Sequence, residues 1–145
     1  MKSLPSAKKA LVLTALTCAS LFCAPALKAE TGVTPTEVLF GQTAAFEGPA
    51  SALGLGMKEG LLAAFKEVND AGGINGRMLK IKHLNDGYEP EKAIANTNAL
   101  INDDKVFALV GAVGTPTSKV IQPITSEAKV PLVGPFTGAG FLRAP

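Results

Sequence analysis

Tryptophan is absent from the 145-residue chain, and histidine and tyrosine occur once each, as His83 and Tyr88. Its two cysteines, Cys18 and Cys23, both lie close to the N-terminus. Past them, no disulfide, thiolate metal site or cysteine nucleophile can form. A single histidine is a poor supply for a His-rich metal centre or a His-paired nucleophile. The charge is also thin. The formal net charge is +2, from 14 bases and 12 acids. Lys2, Lys8, Lys9 and Lys28 stand ahead of every acid, which leaves 10 bases against 12 acids in the remainder. A mildly acidic remainder with no basic cluster argues against a nucleic-acid partner. Nothing in the composition asks for a cofactor or a metal.

What is present begins with an address. Lys2, Lys8 and Lys9 precede an uncharged run from Ala10 to Leu27, and Ala24-Pro25-Ala26 and Lys28-Ala29 follow. A positive start, a short apolar core and a small-residue exit make a secretory signal. We read residues 1–29 as that signal, with cleavage after Ala29 preferred over Ala26. A membrane anchor fits less well: Thr14, Thr17, Ser20 and Pro25 interrupt the run, which sits at the short limit of a spanning length. Neither cysteine has the small residues before it that a lipoprotein signal wants. The expected product is exported, periplasmic and not stably inserted in the membrane.

Residues 30–145 alternate strand and helix. Val38–Gly41 reads as a short buried strand. Ala52–Ala71 reads as a helix with Met57, Leu61, Ala64, Phe65 and Val68 on one face, stopped by Gly72-Gly73. Met78–Leu84 alternates and carries lysines on one side, which predicts a strand near a sheet edge. Pro90–Asn102 is a second helix, with Pro90 at its first position and Ala93, Ile94, Thr97, Leu100 and Ile101 inward. Val106–Gly111 is wholly apolar, as a central parallel strand should be. A third helix runs from Thr115 to about Lys129, where Pro123 is expected to interrupt and kink it. Pro131–Gly134 is a fourth strand. The pattern implies an α/β fold, a parallel sheet with helices on both faces joined by right-handed crossovers.

Ligands of open parallel sheets bind beyond the C-terminal strand ends. Four segments fall there: Thr43–Ser51, Asn85–Glu89, Ala112–Thr117 and Pro135–Ala139. Gly114-Thr115-Pro116-Thr117 and Gly134-Pro135-Phe136-Thr137-Gly138 each offer a hydroxyl, glycine-freed N–H groups and no charge. The first opens a helix, where free N–H groups and the helix dipole favour a carboxylate. The plainer reading makes Thr115 an N-cap and Gly138 a turn. A dinucleotide fingerprint is excluded, because Gly54, Gly56 and Gly60 have the wrong spacing and stand too far from the strand.

Four stretches in order carry a family resemblance. They are Gly48-Pro49-x-x-x-x-Gly54 with Asn69-x-Ala71-Gly72-Gly73-Ile74-x-Gly76-Arg77; Asp86-Gly87-Tyr88-Glu89-Pro90-x-Lys92-Ala93; Val110-Gly111-x-x-x-Thr115; and Val130-Pro131-Leu132-Val133-Gly134-Pro135. Together they resemble type I periplasmic solute-binding proteins of ABC importers, and within them the branched-chain amino-acid (Leu/Ile/Val) receptors, over nearly all of 37–143. The resemblance implies two α/β lobes that clamp a ligand, no catalysis, no cofactor and a membrane permease as partner. Residues 30–145 would be the N-terminal part of the first lobe, with the second lobe absent. The family's carboxylate-binding hydroxyl falls at Thr115. The implied ligand-binding set is Gly114, Thr115, Pro116, Thr117, Phe136, Thr137 and Gly138, with Phe46, Leu53 and Tyr88 as further candidates. Phe136 replaces a usual small residue, and Leu53 stands where an aromatic is common. A branched-chain amino acid, a small amide or an aromatic acid therefore all fit. Half of a site that binds at about 1 μM keeps about half of 8 kcal/mol, so binding near 1 mM is expected of this chain.

Two other readings compete. The same lobe could serve as the sensing input of a chemoreceptor or kinase, which a downstream transmembrane segment would mark. An exported α/β enzyme would need a base for Ser51, Ser118 or Ser126, and the sequence shows no nucleophile–base pair.

Overall fold

The computed structural model describes residues 30–143. The stretch read as a signal, residues 1–29, with both candidate cleavage points, lies outside the described residues. The elements follow the alternating pattern: β1 (Glu37–Ala44), α1 (Ser51–Asp70), β2 (Met78–Asn85), α2 (Pro90–Asn102), β3 (Ala108–Val110), α3 (Thr115–Glu127) and β4 (Leu132–Val133). A single 3-10 turn, Gly140–Leu142, follows. The four strands make one sheet in the order β2-β1-β3-β4, every pair parallel.

That order fixes where the helices go. The chain steps outward from β1 to β2, then reverses past β1 to β3 and onward to β4. Right-handed crossovers in opposite directions place α1 on one face and α2 with α3 on the other. The side chains agree. Leu39, Leu84 and Leu132 pack with buried Leu100, Val106 and Leu109 beneath α2. Ala93, Ala112 and Ile121 join α2 to α3. On the opposite face Phe40 meets Phe65 of α1, ring centroids 5.2 Å apart and edge to face. Fully burying a side chain such as Leu100, Leu109 or Ile121 contributes about 1.5–3 kcal/mol each, so the α2–α3 face carries most of the stability.

β2 is an edge strand, as its lysines foretell. Register pairs Gly41 with Lys82 and Leu39 with Lys80. Lys82 reaches Asp104 at 2.6 Å and Lys80 reaches Glu37 at 3.7 Å, exposed pairs worth little singly that keep the edge charged.

The structure revises four details. α3 continues through Pro123 as one helix to Glu127; Pro123 sits on its exposed side, where the missing N–H and the ring are accommodated. β3 is shorter than the apolar run at both ends: Val106 and Phe107 precede it, and Gly111, at φ +66°, turns the chain out of it. Ile94 is 37% exposed rather than inward, since Ala93, Thr97 and Leu100 hold the centre of the α2 contact. Ala64 is also exposed, while Met57, Leu61, Phe65 and Val68 are half-buried. In α1, Gly54 is the buried residue, for α1 has no helix beside it among the described residues. Beside it the sheet face stays open, with Val133 and Phe136 half exposed.

Gly54 is there for closeness. A Cβ on it would run into the Ala45 carbonyl, whereas Gly56 and Gly60 face open space.

Candidate functional site

The four segments at the C-terminal strand ends are tied together by named contacts. The Asn85 side chain accepts the N–H of Phe46 at 2.8 Å. Phe136 donates its N–H to the Ala112 carbonyl at 2.7 Å, and Gly114 donates to the Phe136 carbonyl at 3.0 Å. These two bonds carry the β3–β4 pairing past the strand ends and lay Pro135–Thr137 alongside the start of α3.

Gly114 is the N-cap of α3 at φ +107°, with no side chain capping the helix. Thr115 is thus the first helical residue and not the cap, and its hydroxyl is free for another partner. That partner is Thr137, with the two Oγ1 atoms 2.6 Å apart. The Ala139 N–H donates to Thr137 Oγ1 at 3.1 Å, and the Arg143 guanidinium donates to the Thr137 carbonyl at 2.8 Å. First-turn N–H groups have no carbonyl a turn earlier to reach. Here they belong to Thr115 and Thr117, since Pro116 has none. The Thr117 hydroxyl is turned inward: it is buried and donates to the Val113 carbonyl at 2.7 Å. With the whole residue 1% exposed, Thr117 presents neither hydroxyl nor N–H to the cleft, and the open first-turn N–H is that of exposed Thr115.

The result is a cradle of the exposed Thr115 hydroxyl, the half-buried Thr137 hydroxyl and the Thr115 N–H at the positive end of a helix dipole. Such a cradle suits a carboxylate. Beside it, the half-exposed Phe136 ring and Leu53, Gly56, Met57 and Gly60 of α1 line an open apolar cavity of about 430 Å³. Gly138 is exposed next to the threonine pair. Tyr88 stands against Gly114, where a Cβ would collide with its ring. Phe46 turns elsewhere: its ring meets His83 edge to face at 6.0 Å and carries the Lys58 ammonium 5.1 Å from its centroid.

Two polar centres support these loops, and the contacts that build them have no signal in the sequence. Gln42 is fully buried. It donates to the Gly111 carbonyl at 2.8 Å, and its Oε1 faces His83 Nδ1 at 2.7 Å. Because the amide oxygen faces the ring, Nδ1 carries the proton, while the buried Nε2 has no partner. Burial, followed by the charge of Lys58, holds His83 below its ordinary pKa. Asp86 is also fully buried. It accepts the Thr43 hydroxyl at 2.9 Å and the Tyr88 N–H at 2.8 Å. Burial pushes its carboxyl above the ordinary range, against the pull of those two bonds. Sequence offered Asp86 only as the first residue of the Asp86-Gly87-Tyr88 stretch; the contact with Thr43, 43 positions away, has no local signal.

Nothing among the described residues pairs a serine with a base. Ser118 Oγ is buried without a partner, Ser126 accepts from Gln122, and His83 is engaged with Gln42. No group of three potential metal ligands occurs among the described residues. No helix among them is long and apolar enough to cross a membrane.

Comparison with known proteins agrees with this architecture. A sequence profile of the periplasmic binding protein family matches residues 37–145. A Leu/Ile/Val-binding protein homolog 2 of Brucella abortus is 30% identical over 121 residues, covering 81% of this chain and 32% of that protein. A crystal structure of a possible leucine/isoleucine/valine-binding protein from Rhodopirellula baltica superposes with a TM-score of 0.72 at 39% identity, covering 81% of this chain and 31% of that one. A branched-chain amino acid transporter substrate binding protein from Streptococcus pneumoniae, in complex with isoleucine, superposes with a TM-score of 0.69 at 26% identity, covering 74% and 31%. The chain thus spans just under a third of the length of these relatives. With the profile matched over most of its length and the parallel α/β sheet of the solved relatives, the chain belongs to the periplasmic binding protein family.

Proposed function

We propose that this chain is the ligand-binding start of an exported solute receptor. In this reading it holds the carboxylate of a small ligand at the α3 cradle and presents it to the membrane permease of an ABC importer. The observation that carries the reading is the Thr115–Thr137 hydroxyl pair at 2.6 Å, set at a helix start where the exposed Thr115 has no carbonyl a turn earlier to take its N–H. Relatives named as Leu/Ile/Val-binding proteins and a related structure holding isoleucine support a branched-chain amino acid as the first ligand to test. The apolar cavity lined by Leu53 and Phe136 suits an apolar side chain. Binding without chemistry fits the family, and periplasmic action fits both the family and the signal read at residues 1–29.

The carboxylate is the part of the ligand that this cradle addresses. L-leucine and L-leucinamide, which lacks the carboxylate, should therefore separate in a titration followed by amide chemical shifts. L-leucine should move the resonances of Gly114–Thr117 and Phe136–Gly138, and L-leucinamide should leave them in place. Equal shifts from both compounds would overturn carboxylate recognition.

A further inference from the structure

Tyr88 adopts a backbone conformation that ordinary residues avoid, φ +69°. Such strain persists only where surrounding contacts over-determine it. The contact here is Asp86, whose Oδ1 takes the Tyr88 N–H two residues on at 2.8 Å, closing an aspartate turn. Its Oδ2 is fixed by the Thr43 hydroxyl at 2.9 Å, and Thr43 Oγ1 receives the Asn96 amide at 3.2 Å. The carboxylate thereby joins the end of β1, the end of β2 and α2 while having no access to solvent.

The strained turn delivers the Tyr88 ring to Gly114. The ring fills the space a Cβ would need there, on the residue that caps α3 and bonds to Phe136. We propose that Asp86 is a positioning residue for the cradle: through Tyr88 it braces Gly114, and through Gly114 it sets the Thr115 and Thr137 hydroxyls at their 2.6 Å separation. Asp86 touches no ligand itself. This inference rests on the cradle reading for its effect on binding, but not for its effect on Tyr88 and Gly114.

The chain carries its own probe, since Tyr88 is its sole tyrosine and it has no tryptophan. Tyrosine emission and the Gly114 Hα shifts, which feel the ring current of Tyr88, can be read on the 145-residue chain without ligand. Asp86→Ala should change both, and Asp86→Asn, which keeps an oxygen for the Tyr88 N–H, should restore both. With L-leucine as probe, Asp86→Ala should bind about tenfold more weakly, the size of one hydrogen bond to a charged group, and Asp86→Asn should recover most of that. If Asp86→Ala does not fold, Tyr88→Gly replaces it, removing the ring from a position where glycine is at ease; it must shift Gly114 and weaken L-leucine. Unchanged Gly114 Hα shifts in a folded Asp86→Ala or Tyr88→Gly chain would overturn the proposal, as would an Asp86→Asn that fails to restore them. A wild-type chain indifferent to L-leucine whose Gly114 shifts nonetheless follow Asp86 would refute the carboxylate reading and uphold the brace.

Discussion

The hydroxyls of Thr115 and Thr137 lie 2.6 Å apart, although 22 positions separate them in sequence and neither serves as a helix cap. The pair exists because β3 and β4 run parallel and their pairing continues to Phe136. Its exposure limits its part in folding. Thr115→Val, which keeps the shape and loses the hydroxyl, should lower stability by no more than about 1 kcal/mol. L-leucine binding should fall about tenfold, the worth of about 1.4 kcal/mol. Urea melts and L-leucine titrations of the same variant check both halves, and a large stability loss with unchanged binding would make the pair structural.

Gln42 is the opposite case, buried and bonded on both sides. Gln42→Leu strands the Gly111 carbonyl and the His83 Nδ1–H in the interior, each a desolvation loss of about 1–3 kcal/mol. The variant should lose at least about 2 kcal/mol in a urea melt. A loss below about 0.5 kcal/mol would mean that water reaches both groups.

The glycines of α1 should divide sharply. Gly56→Ala and Gly60→Ala place a methyl in open space and should each stabilise the chain by about 0.5–1 kcal/mol through helix propensity. Gly54→Ala drives a methyl into the Ala45 carbonyl and should cost about 1–3 kcal/mol as overpacking. Thermal melts of the three single variants test the contrast, which fails if all three move the same way.

His83 and Asp86 should bend the pH dependence in opposite senses. His83 titrates in the folded chain below its ordinary 6.5, so the unfolded chain binds more protons and the stability present above 6.5 is lost as pH falls. Asp86 titrates above its ordinary 3.8, so its favourable contribution is full below that value and is lost as pH rises through the raised pKa. His83→Asn should flatten the fall in stability between about pH 7 and about pH 5. Asp86→Asn should remove the opposing slope in the acid range. Urea midpoints for each variant across pH decide both, and slopes of the wrong sign would refute the protonation states assigned here.

Much of the fold could be read from local pattern. Period-two alternation with Lys80 and Lys82 on one side placed β2 at the sheet edge, and Pro90 with Ala93, Thr97 and Leu100 set α2 at both ends. What escaped was nonlocal or depended on fine geometry. Pro123 breaks a helix by rule but is tolerated on the exposed side of α3. Gly54 and Gly56 look alike in sequence, and only the approach of Ala45 tells them apart. Val106 and Phe107 are as apolar as β3 itself, yet they lie outside the strand, whose extent is set by its pairing to β1 and β4 and by the turn at Gly111. For the candidate site, composition and resemblance pointed to Thr115 and Thr137. Their contact was not legible, and nor was the Thr43–Asp86–Tyr88 support, which joins strands through side chains far apart in sequence.

The central claim is that the start of α3 and the segment after β4 together hold a carboxylate. An amide-resolved titration of the 145-residue chain with L-leucine tests it most directly. The account predicts weak saturation near 1 mM, about −4 kcal/mol, with shifts confined to Gly114–Thr117, Phe136–Gly138 and the adjoining Tyr88. Shifts centred elsewhere, or micromolar affinity from this chain alone, would contradict it.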